Sequence, residues 1–286
     1  MPVVSTTELI EDVRARGNAL GAFNVITVEH AEAIASAAEE TGLPALLQIS
    51  ENAVRYHGRL APIAAACHEI ARSSTASLGL HLDHVTDEQL LHQAADAGFT
   101  SVMFDASNLD YEANVALTRS AADWSHRRGL WFEAELGEVG GKDGAHAPGV
   151  RTDPQEAATF VDATEADGLA VAVGSSHAMV RQEARLDLDL ISRLRASVPV
   201  PLVLHGSSGV PDDQLAAAVA AGIVKVNIGT ALNIAFTGAV RQELSDSALV
   251  DPRKYLKPAR TAMASTVAHV MLLLAVGGHR PERLVD

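Results

Sequence analysis

Polar side chains able to bind a metal or transfer a proton follow several apolar runs of the sequence. Asp83 and His84 end one such run, and His177 and His205 follow two later runs. One histidine at a strand end is usually a hydrogen-bonded structural residue, but three in equivalent positions favour a metal site. Neutral imidazole suits Zn²⁺, and a catalytic zinc keeps three protein ligands and one open position. We therefore predict that His84, His177 and His205 bind zinc.

Asp83 is the predicted acid/base residue of this site. A carboxylate beside a cation is normally ionised, and an ionised carboxylate held in place can accept a proton from a substrate hydroxyl. The alternative is that Asp83 only orients a ligating histidine. Because successive strand residues point to opposite faces, Asp83 and His84 can serve one site only where their strand ends. His81 lies on the same face as Asp83 and is expected to be a hydrogen-bond partner rather than a ligand.

Two segments have the composition of phosphate-binding loops. One is the run HGSSG at 205–209, which precedes a predicted helix, and the other is NIGT at 227–230. Small residues let backbone N–H groups approach an anion, and hydroxyl groups add donors. The run GSSG taken alone is also typical of a turn, so its position before a helix carries the interpretation.

A repeated unit must position these side chains. It consists of a short run rich in β-branched residues, a polar residue or glycine, and an amphipathic stretch rich in Ala. Runs such as ALLQI, LAVAV and PLVL are typical of parallel strands buried on both faces. The predicted strands are 21–25, 45–50, 78–84, 101–107, 130–136, 168–174, 200–206 and 223–230. The predicted helices lie near 28–41, 59–73, 86–97, 111–128, 153–166, 187–196, 211–221, 231–245 and 258–274, after an opening helix near 5–13.

Eight strands alternating with helices predict an α/β fold, a (β/α)₈ TIM barrel with additional N- and C-terminal helices, as one domain over 1–286. The barrel gathers the carboxyl ends of its strands around one axis, and the loops after strands seven and eight are the usual phosphate site. The polar residues expected there are Asn24, Ser50, Asp83, His84, Asp105, Glu133, Glu135, His177, His205 and Asn227.

Composition and charge exclude several classes of protein. Of the 286 residues 48% are hydrophobic, which is enough for a large core. The net charge is −14 without a cluster of Lys or Arg, so no nucleic-acid partner is expected. The single Cys67 excludes an internal disulfide, and we find neither a secretory signal nor an apolar run long enough for a membrane. We therefore expect a cytoplasmic protein without a membrane partner.

The sequence resembles the class II, zinc-dependent ketose-bisphosphate aldolases, which act on fructose- and tagatose-1,6-bisphosphate. The resemblance covers essentially the whole chain. It rests on AFN at 22–24, HLDH at 81–84, VMFD at 102–105, EAELG at 133–137, LAVAVG at 169–174, LHG at 204–206, KVNI at 225–228 and DPRKY at 251–255. The order of HLDH, EAELG and KVNI is the most specific part.

This resemblance implies reversible cleavage of a ketose 1,6-bisphosphate to dihydroxyacetone phosphate and glyceraldehyde 3-phosphate. Asp83 would exchange a proton with the C4 hydroxyl, and the zinc on His84, His177 and His205 would act as a Lewis acid. Asp105 and Glu135 match positions where some members bind a second divalent metal, and the family also has a monovalent-cation loop. The implied substrate-binding residues are Asn24, Ser50, Ala178, Gly206, Ser207, Ser208, Asn227, Ile228, Gly229 and Thr230. Homodimers or homotetramers are implied, and helix 259–274 either forms an interface or packs on the barrel.

Three positions depart from the family pattern. Ala178 stands where the family has a glycine of the phosphate and cation loop, which would narrow the pocket. In the segment 138–150, a candidate lid or an ordinary surface loop, either Asp143 takes the place of the usual glutamate or the loop is one residue shorter. Asp143 or another residue of this segment is the predicted second acid/base residue. Gly229 replaces an aspartate of fructose-type members, as in tagatose-type variants.

Other functions stay open after these observations. One is a class II aldolase acting on a different phosphorylated ketose, and another is a non-catalytic accessory subunit. The presence of Asp83 and all three histidines argues against the accessory subunit, and the phosphate loops argue against a zinc hydrolase. A Schiff-base aldolase would need a lysine at a strand end, and Lys225, the only lysine in a predicted strand, has no evident partner.

Overall fold

A closed barrel of eight parallel strands forms the centre of the molecule. The computed structural model describes residues 3–136, 151–176 and 181–275. The strands are β1 (Leu20–Asn24), β2 (Ala45–Ser50), β3 (Leu78–Val85), β4 (Ser101–Phe104), β5 (Trp131–Glu135), β6 (Gly168–Ala170), β7 (Leu202–Leu204) and β8 (Ile223–Ile228). They follow one another around the barrel in chain order, and β8 closes it on β1. The predicted TIM barrel is confirmed.

Helices surround this barrel. They are α1 (Thr6–Ala15), α2 (Val28–Thr41), α3 (Glu51–His57), α4 (Ala61–Ser73), α5 (Glu88–Leu91), α6 (Tyr111–His126), α7 (Pro154–Thr164), α8 (Leu188–Ser197), α9 (Asp212–Ala221), α10 (Thr230–Glu243) and α11 (Pro252–Leu274), with a 3₁₀ turn at Ser207–Gly209. The additional N- and C-terminal helices are therefore confirmed as α1 and α11. Within the described part of the chain, no helix is long and apolar enough to span a membrane.

Several predicted bounds are wrong. Helix α3 was not predicted, and α5 covers only four of the twelve residues predicted as helix over 86–97. Helix α11 begins at Pro252 rather than near 258, with Pro258 in its interior. A proline in a helix removes one hydrogen bond, and Pro258 lies close enough to the helix start for the rest of α11 to continue. The strands β6 and β7 are shorter than predicted, since β6 ends at Ala170 and β7 spans only Leu202–Leu204.

Apolar side chains fill one end of the barrel and leave the other end to polar groups. Leu20, Leu46, Trp131 and Val203 form a cluster inside the N-terminal end of the barrel, which the apolar face of α1 closes from below. The larger core lies between the strands and the outer helices. The interior towards the carboxyl ends contains buried charged and polar side chains instead, namely Gln48, His81, Asp83, Glu133, His205 and Lys225.

Helix α11 packs on the barrel through one apolar face. Its buried residues are Ala259, Met263, Val267, Met271 and Leu274. They recur at intervals of three or four positions, as expected for one face of a helix. This face contacts α2, α10 and β1. The sequence left two interpretations of this helix, a subunit interface or packing on the barrel. Packing on the barrel accounts for its buried face.

Candidate active site

An irregularity in β3 brings Asp83 and His84 to the same site. The pairing of β3 with β4 shifts register between Leu82 and Val85. His84 has a φ of 50°, in the left-handed region that residues other than glycine rarely adopt. This bulge cancels the alternation of side chains, so both Asp83 and His84 reach the carboxyl end of the barrel. The expectation that β3 ends at these residues is therefore wrong, since the strand continues to Val85.

Four of the five predicted metal ligands lie together. Ligand atoms of His84, Asp105 and Glu135 lie within 4.8 Å of one another, and so do those of Asp83, His84 and His205. The rings of His84 and His205 meet edge to face with centroids 4.9 Å apart. This buried set of imidazole nitrogens and carboxylate oxygens fits a divalent transition metal such as zinc. The fifth ligand, His177, lies outside the described residues, as do Ala178 and Asp143.

Carboxylates fix the orientation of His84 and His205, the two predicted histidine ligands that the structure describes. Asp105 Oδ2 lies 3.1 Å from His84 Nδ1, and Glu133 Oε1 lies 2.8 Å from His205 Nε2. On the other side of its ring, His205 has Nδ1 3.6 Å from Glu135 Oε2. A carboxylate in this position selects the tautomer of a metal-binding imidazole.

Asp83 is buried, and two amides hold its carboxylate. Asp83 Oδ2 accepts a hydrogen bond from Gln48 Nε2 at 3.0 Å, and Oδ1 accepts one from Asn227 Nδ2 at 3.2 Å. Burial raises the pKa of Asp83, but the charge of His84 and the hydrogen bond from His81 lower it more, so this pKa lies well below its usual range. Asp83 is therefore ionised, and its carboxylate is held in one orientation.

Below Asp83 lies a buried ionic layer. Lys225 Nζ lies 2.8 Å from Glu133 Oε2 and donates to Asn227 Oδ1 at 2.6 Å. Burial raises the pKa of Glu133, but Lys225 and His205 lower it to about 2. Burial lowers the pKa of His205, but hydrogen bonds to Glu133 and Glu135 raise it to about 9. The expectation that Lys225 has no partner is wrong, because its partner Glu133 lies on a strand distant in the sequence.

His81 occupies the position predicted for it. Its side chain is fully buried, with Nδ1 2.8 Å from Ser101 Oγ and Nε2 3.6 Å from Asp83 Oδ1. Burial and the charge of Lys225 lower the pKa of His81. His81 thus hydrogen-bonds to Ser101, lies beside Asp83, and belongs to neither group of ligand atoms that lie close together.

The two predicted phosphate loops lie side by side. Gly206 has a φ of 65°, in the left-handed region that glycine adopts without strain, and this turns the chain into the 3₁₀ turn. Ser207 Oγ donates to the backbone oxygen of Asn227 at 2.6 Å, and Ser208 Oγ accepts from the backbone N–H of Ala231 at 3.1 Å. The N-terminus of α10 follows at Thr230. Free N–H groups and the helix dipole make such an end favourable for an anion.

A cavity of about 400 Å³ lies above these groups. The predicted residues that line it are Asn24, Ser50, Asp83, His84, Gly206, Ser207, Ser208, Asn227, Gly229 and Thr230. Ile228 belongs to the buried core and does not line the cavity. It follows Asn227 on β8, and successive side chains of a strand point to opposite faces.

Eight further residues that the sequence did not predict line the cavity, which are Gln48, Glu51, Asn52, Arg55, Thr86, Asn108, Ser176 and Asn233. For Gln48 a signal existed, since it is the polar residue within the apolar run ALLQI. Arg55 lies on the unpredicted helix α3 and forms an ion pair with Glu51. Glu51 in turn accepts a hydrogen bond from the backbone N–H of Thr86 at 2.6 Å, which ties α3 to the end of β3.

Comparisons with known proteins show the family of this chain. The family model for class-II fructose-bisphosphate aldolase matches residues 4–279. The fructose-bisphosphate aldolases of Staphylococcus aureus (strain Mu50 / ATCC 700699) and Geobacillus stearothermophilus are each 39% identical over 272 residues, covering 93% of this chain and 95% of theirs. The crystal structure of the YdjI aldolase from Escherichia coli K12 superposes with a TM-score of 0.86 at 30% identity, covering 98% of this chain and 100% of that one. The chain therefore belongs to the class II fructose-bisphosphate aldolase family and is an enzyme, a carbon–carbon lyase.

Proposed function

We propose that the protein reversibly cleaves a ketose 1,6-bisphosphate, fructose or tagatose, to dihydroxyacetone phosphate and glyceraldehyde 3-phosphate with zinc bound. The observation that carries this proposal is the ionised Asp83 beside His84 and His205 at the floor of a cavity with two phosphate-type loops at its wall. The curated relatives named fructose-bisphosphate aldolase support it.

His84, His177 and His205 are the proposed zinc ligands. Zinc bound there supplies a Lewis acid that withdraws electrons from the substrate carbonyl. Asp105 lies at hydrogen-bond distance from His84 Nδ1, which suits a carboxylate that orients the ligand. The alternative for Asp105 and Glu135 is a second divalent metal, supported by their closeness to His84. A monovalent cation near Ala178 is a further part of the proposal.

The phosphate loops position the substrate. One phosphate is proposed to bind the N–H groups and hydroxyls of Gly206–Ser208 and Gly229–Thr230 at the start of α10. The sugar then extends across the cavity, which Asn24 and Ser50 also line. Holding the substrate at both ends fixes the C4 hydroxyl relative to Asp83, and such fixation supplies much of the rate gain of an enzyme.

Asp83 performs the proposed proton transfer. Its carboxylate takes the proton of the C4 hydroxyl, the O–H electron pair forms the aldehyde carbonyl, and the C3–C4 bond breaks. The electrons of that bond remain with the dihydroxyacetone phosphate half. A second residue must then protonate C3, and Asp143 is the proposed donor. In the reverse direction Asp83 returns its proton to the new hydroxyl.

A coupled assay tests this proposal. Release of triose phosphate from fructose- and tagatose-1,6-bisphosphate is measured, with metal content determined on the same sample. Cleavage of either sugar with about one zinc per chain is expected. Zinc-loaded protein that cleaves neither sugar would refute the proposed substrate, and failure of a full panel of ketose phosphates would leave the accessory subunit as the better interpretation.

A specific observation favours a second candidate, cleavage of a different phosphorylated ketose. Among the described residues that line the cavity, Arg55 is the one Lys or Arg side chain, and it is paired with Glu51. A second substrate phosphate bound at Arg55 would therefore share this guanidinium with the carboxylate of Glu51. A ketose 1-phosphate without a terminal phosphate belongs in the same assay, and a higher kcat/KM for it would identify the second candidate.

We also propose a cytoplasmic homodimer or homotetramer. The support for this oligomer is the resemblance to the aldolase family, which implies homodimers or homotetramers. Light scattering of the purified protein should give two or four times the chain mass of 30.0 kDa.

A further inference from the structure

We infer that Lys225 is a positioning residue for this reaction, acting through the side-chain amide of Asn227 on Asp83. The inference rests on the proposed function, since Asp83 is the proposed proton acceptor. Lys225 is fully buried and does not line the cavity. Its Nζ reaches Asn227 Oδ1 at 2.6 Å, and Asn227 Nδ2 reaches Asp83 Oδ1 at 3.2 Å. These contacts form a chain from the ionic layer to the reacting carboxylate.

The chemistry of the ammonium group sets the direction of the amide. A lysine ammonium has three donors and no acceptor, so it can hydrogen-bond to Oδ1 of Asn227 but not to Nδ2. An asparagine amide has nearly the same shape after a half turn, and only its partners decide which end faces which group. With Oδ1 held by Lys225, the N–H end of Asn227 faces Asp83. Without Lys225 only the hydrogen bond to Asp83 itself orients the amide, so Asn227 holds the carboxylate less firmly.

The other oxygen of Asp83 is held in a matching way. Gln48 Nε2 donates both to Asp83 Oδ2 at 3.0 Å and to Asn24 Oδ1 at 2.7 Å. Each oxygen of the carboxylate therefore receives one amide donor. Lys225 controls one of the two donors, and its removal would release Asp83 on the side of Asn227 alone.

Glu133 complicates the simple test. It lies 2.8 Å from Lys225 Nζ, and also 2.8 Å from His205 Nε2, through its other oxygen. Replacement of Lys225 alone leaves a buried carboxylate without its cation, and such a change destabilises the whole fold. The pair Lys225→Met with Glu133→Gln removes both charges at similar volume. The glutamine keeps an oxygen for His205 Nε2–H, so the proposed zinc ligand retains its acceptor.

The test is a double-mutant cycle between this pair of substitutions and Asn227→Ala. In the wild-type background the pair is expected to lower kcat by about tenfold or more while KM changes by less than about threefold, since Lys225 does not touch the cavity. In the Asn227→Ala background the same pair should change kcat by less than about threefold, because coupled residues are not additive. Equal losses of kcat in both backgrounds, or no loss in the first, would overturn the inference. Zinc content and unfolding temperature are measured for every variant.

The control and a second readout separate this inference from the proposed function. Lys257→Met removes a lysine from an exposed position on α11 and should leave kcat unchanged. Independently of activity, the side-chain N–H signals of Asn227 are followed by NMR of protein labelled with ¹⁵N-asparagine. They should be protected from hydrogen exchange in the wild type and lose protection in the Lys225→Met/Glu133→Gln protein. Unchanged protection overturns the inference, whereas wild-type protein that cleaves no ketose phosphate overturns only the proposed function.

Discussion

At the scale of residues, the site depends on one buried carboxylate that two neutral amides and two histidines keep ionised. Asp83→Asn keeps the shape of the side chain and removes the proton acceptor. We expect kcat to fall by about 10²- to 10⁴-fold, the usual contribution of a general base, with zinc content unchanged. Steady-state kinetics and metal analysis provide the measurement. Asp96→Asn, at an exposed position, is the matched control. A loss of kcat that follows a loss of zinc would instead assign Asp83 to the alternative role of orienting a ligand.

The pKa of His205 predicts a pH dependence of metal binding. In the metal-free protein this pKa is raised from 6.5 to about 9, so His205 carries a proton at neutral pH. The protonated form stabilises the metal-free fold below pH 6.5, and this contribution is lost as pH rises through 9. Zinc must displace the proton, so its affinity should rise by about tenfold per pH unit between 7 and 9. Competition with a chelator, corrected for the chelator's own protonation, measures this. Affinity that stays constant over this range would contradict the prediction.

Residue types could be predicted from the sequence, but their partners could not. Asp83, His84 and His205 are polar residues that follow apolar runs. The rule that barrel enzymes place their functional residues at the carboxyl ends of the strands was enough to find them. The hydrogen bond from Gln48 to Asp83 and the ion pair of Lys225 with Glu133 join strands that are distant in the chain. Such pairs depend on the register of the closed barrel, which residue patterns do not contain.

At the scale of elements, the local deviations from regular structure explain both the site and the errors of prediction. The helix predicted over 86–97 ends early because Gln93 N and Ala94 N donate to Leu90 and Leu91, three positions back, as in a 3₁₀ turn. Apolar periodicity alone does not separate such turns from an α-helix. Helix α3 was missed although its signals are present, since Ser50 Oγ caps it at 3.2 Å from Ala53 N and Gly58 ends it.

Strand β6 offers a matched pair of glycine substitutions. A Cβ added at Gly168 would lie 2.4 Å from two ring carbons of Trp131, which fills the N-terminal end of the barrel. Gly168→Ala should therefore cost about 1–3 kcal/mol of unfolding free energy through overpacking. Gly238 lies exposed within α10, and a Cβ there would meet nothing within 4 Å. Gly238→Ala should stabilise by roughly 0.5–1 kcal/mol, because it lowers the entropy of the unfolded chain. Urea unfolding measures both, and a Gly168→Ala protein at least as stable as the wild type would show that the interior of the barrel has room.

At the scale of the whole molecule, the outer face of α10 is one candidate surface for association. Only Leu232 of its fourteen residues is buried, and Ile234 is 49% exposed. If the proposed homo-oligomer uses this face, Ile234→Glu should lower the mass measured by light scattering, since a charge at an apolar contact is costly. Leu117→Glu on α6, at 36% exposure, is the control and should not change the mass. An unchanged mass for both variants would place the interface elsewhere on the molecule.

Metal binding should stabilise the molecule as a whole, because the proposed site connects strands on different sides of the barrel. His84 lies in β3, and His205 follows β7. An ion that binds only the folded chain stabilises it by about 2.7 kcal/mol when free zinc exceeds its Kd a hundredfold. For a chain of this size, we expect a chelator to lower Tm by roughly 5–10 °C and readdition of Zn²⁺ to restore it. Differential scanning calorimetry on one preparation, with Mg²⁺ readdition as the control, makes the measurement. A Tm that does not respond to verified metal removal would mean that the strands hold these side chains in place without an ion. The buried carboxylates would then have to be balanced by Lys225 and by protonated histidines such as His205.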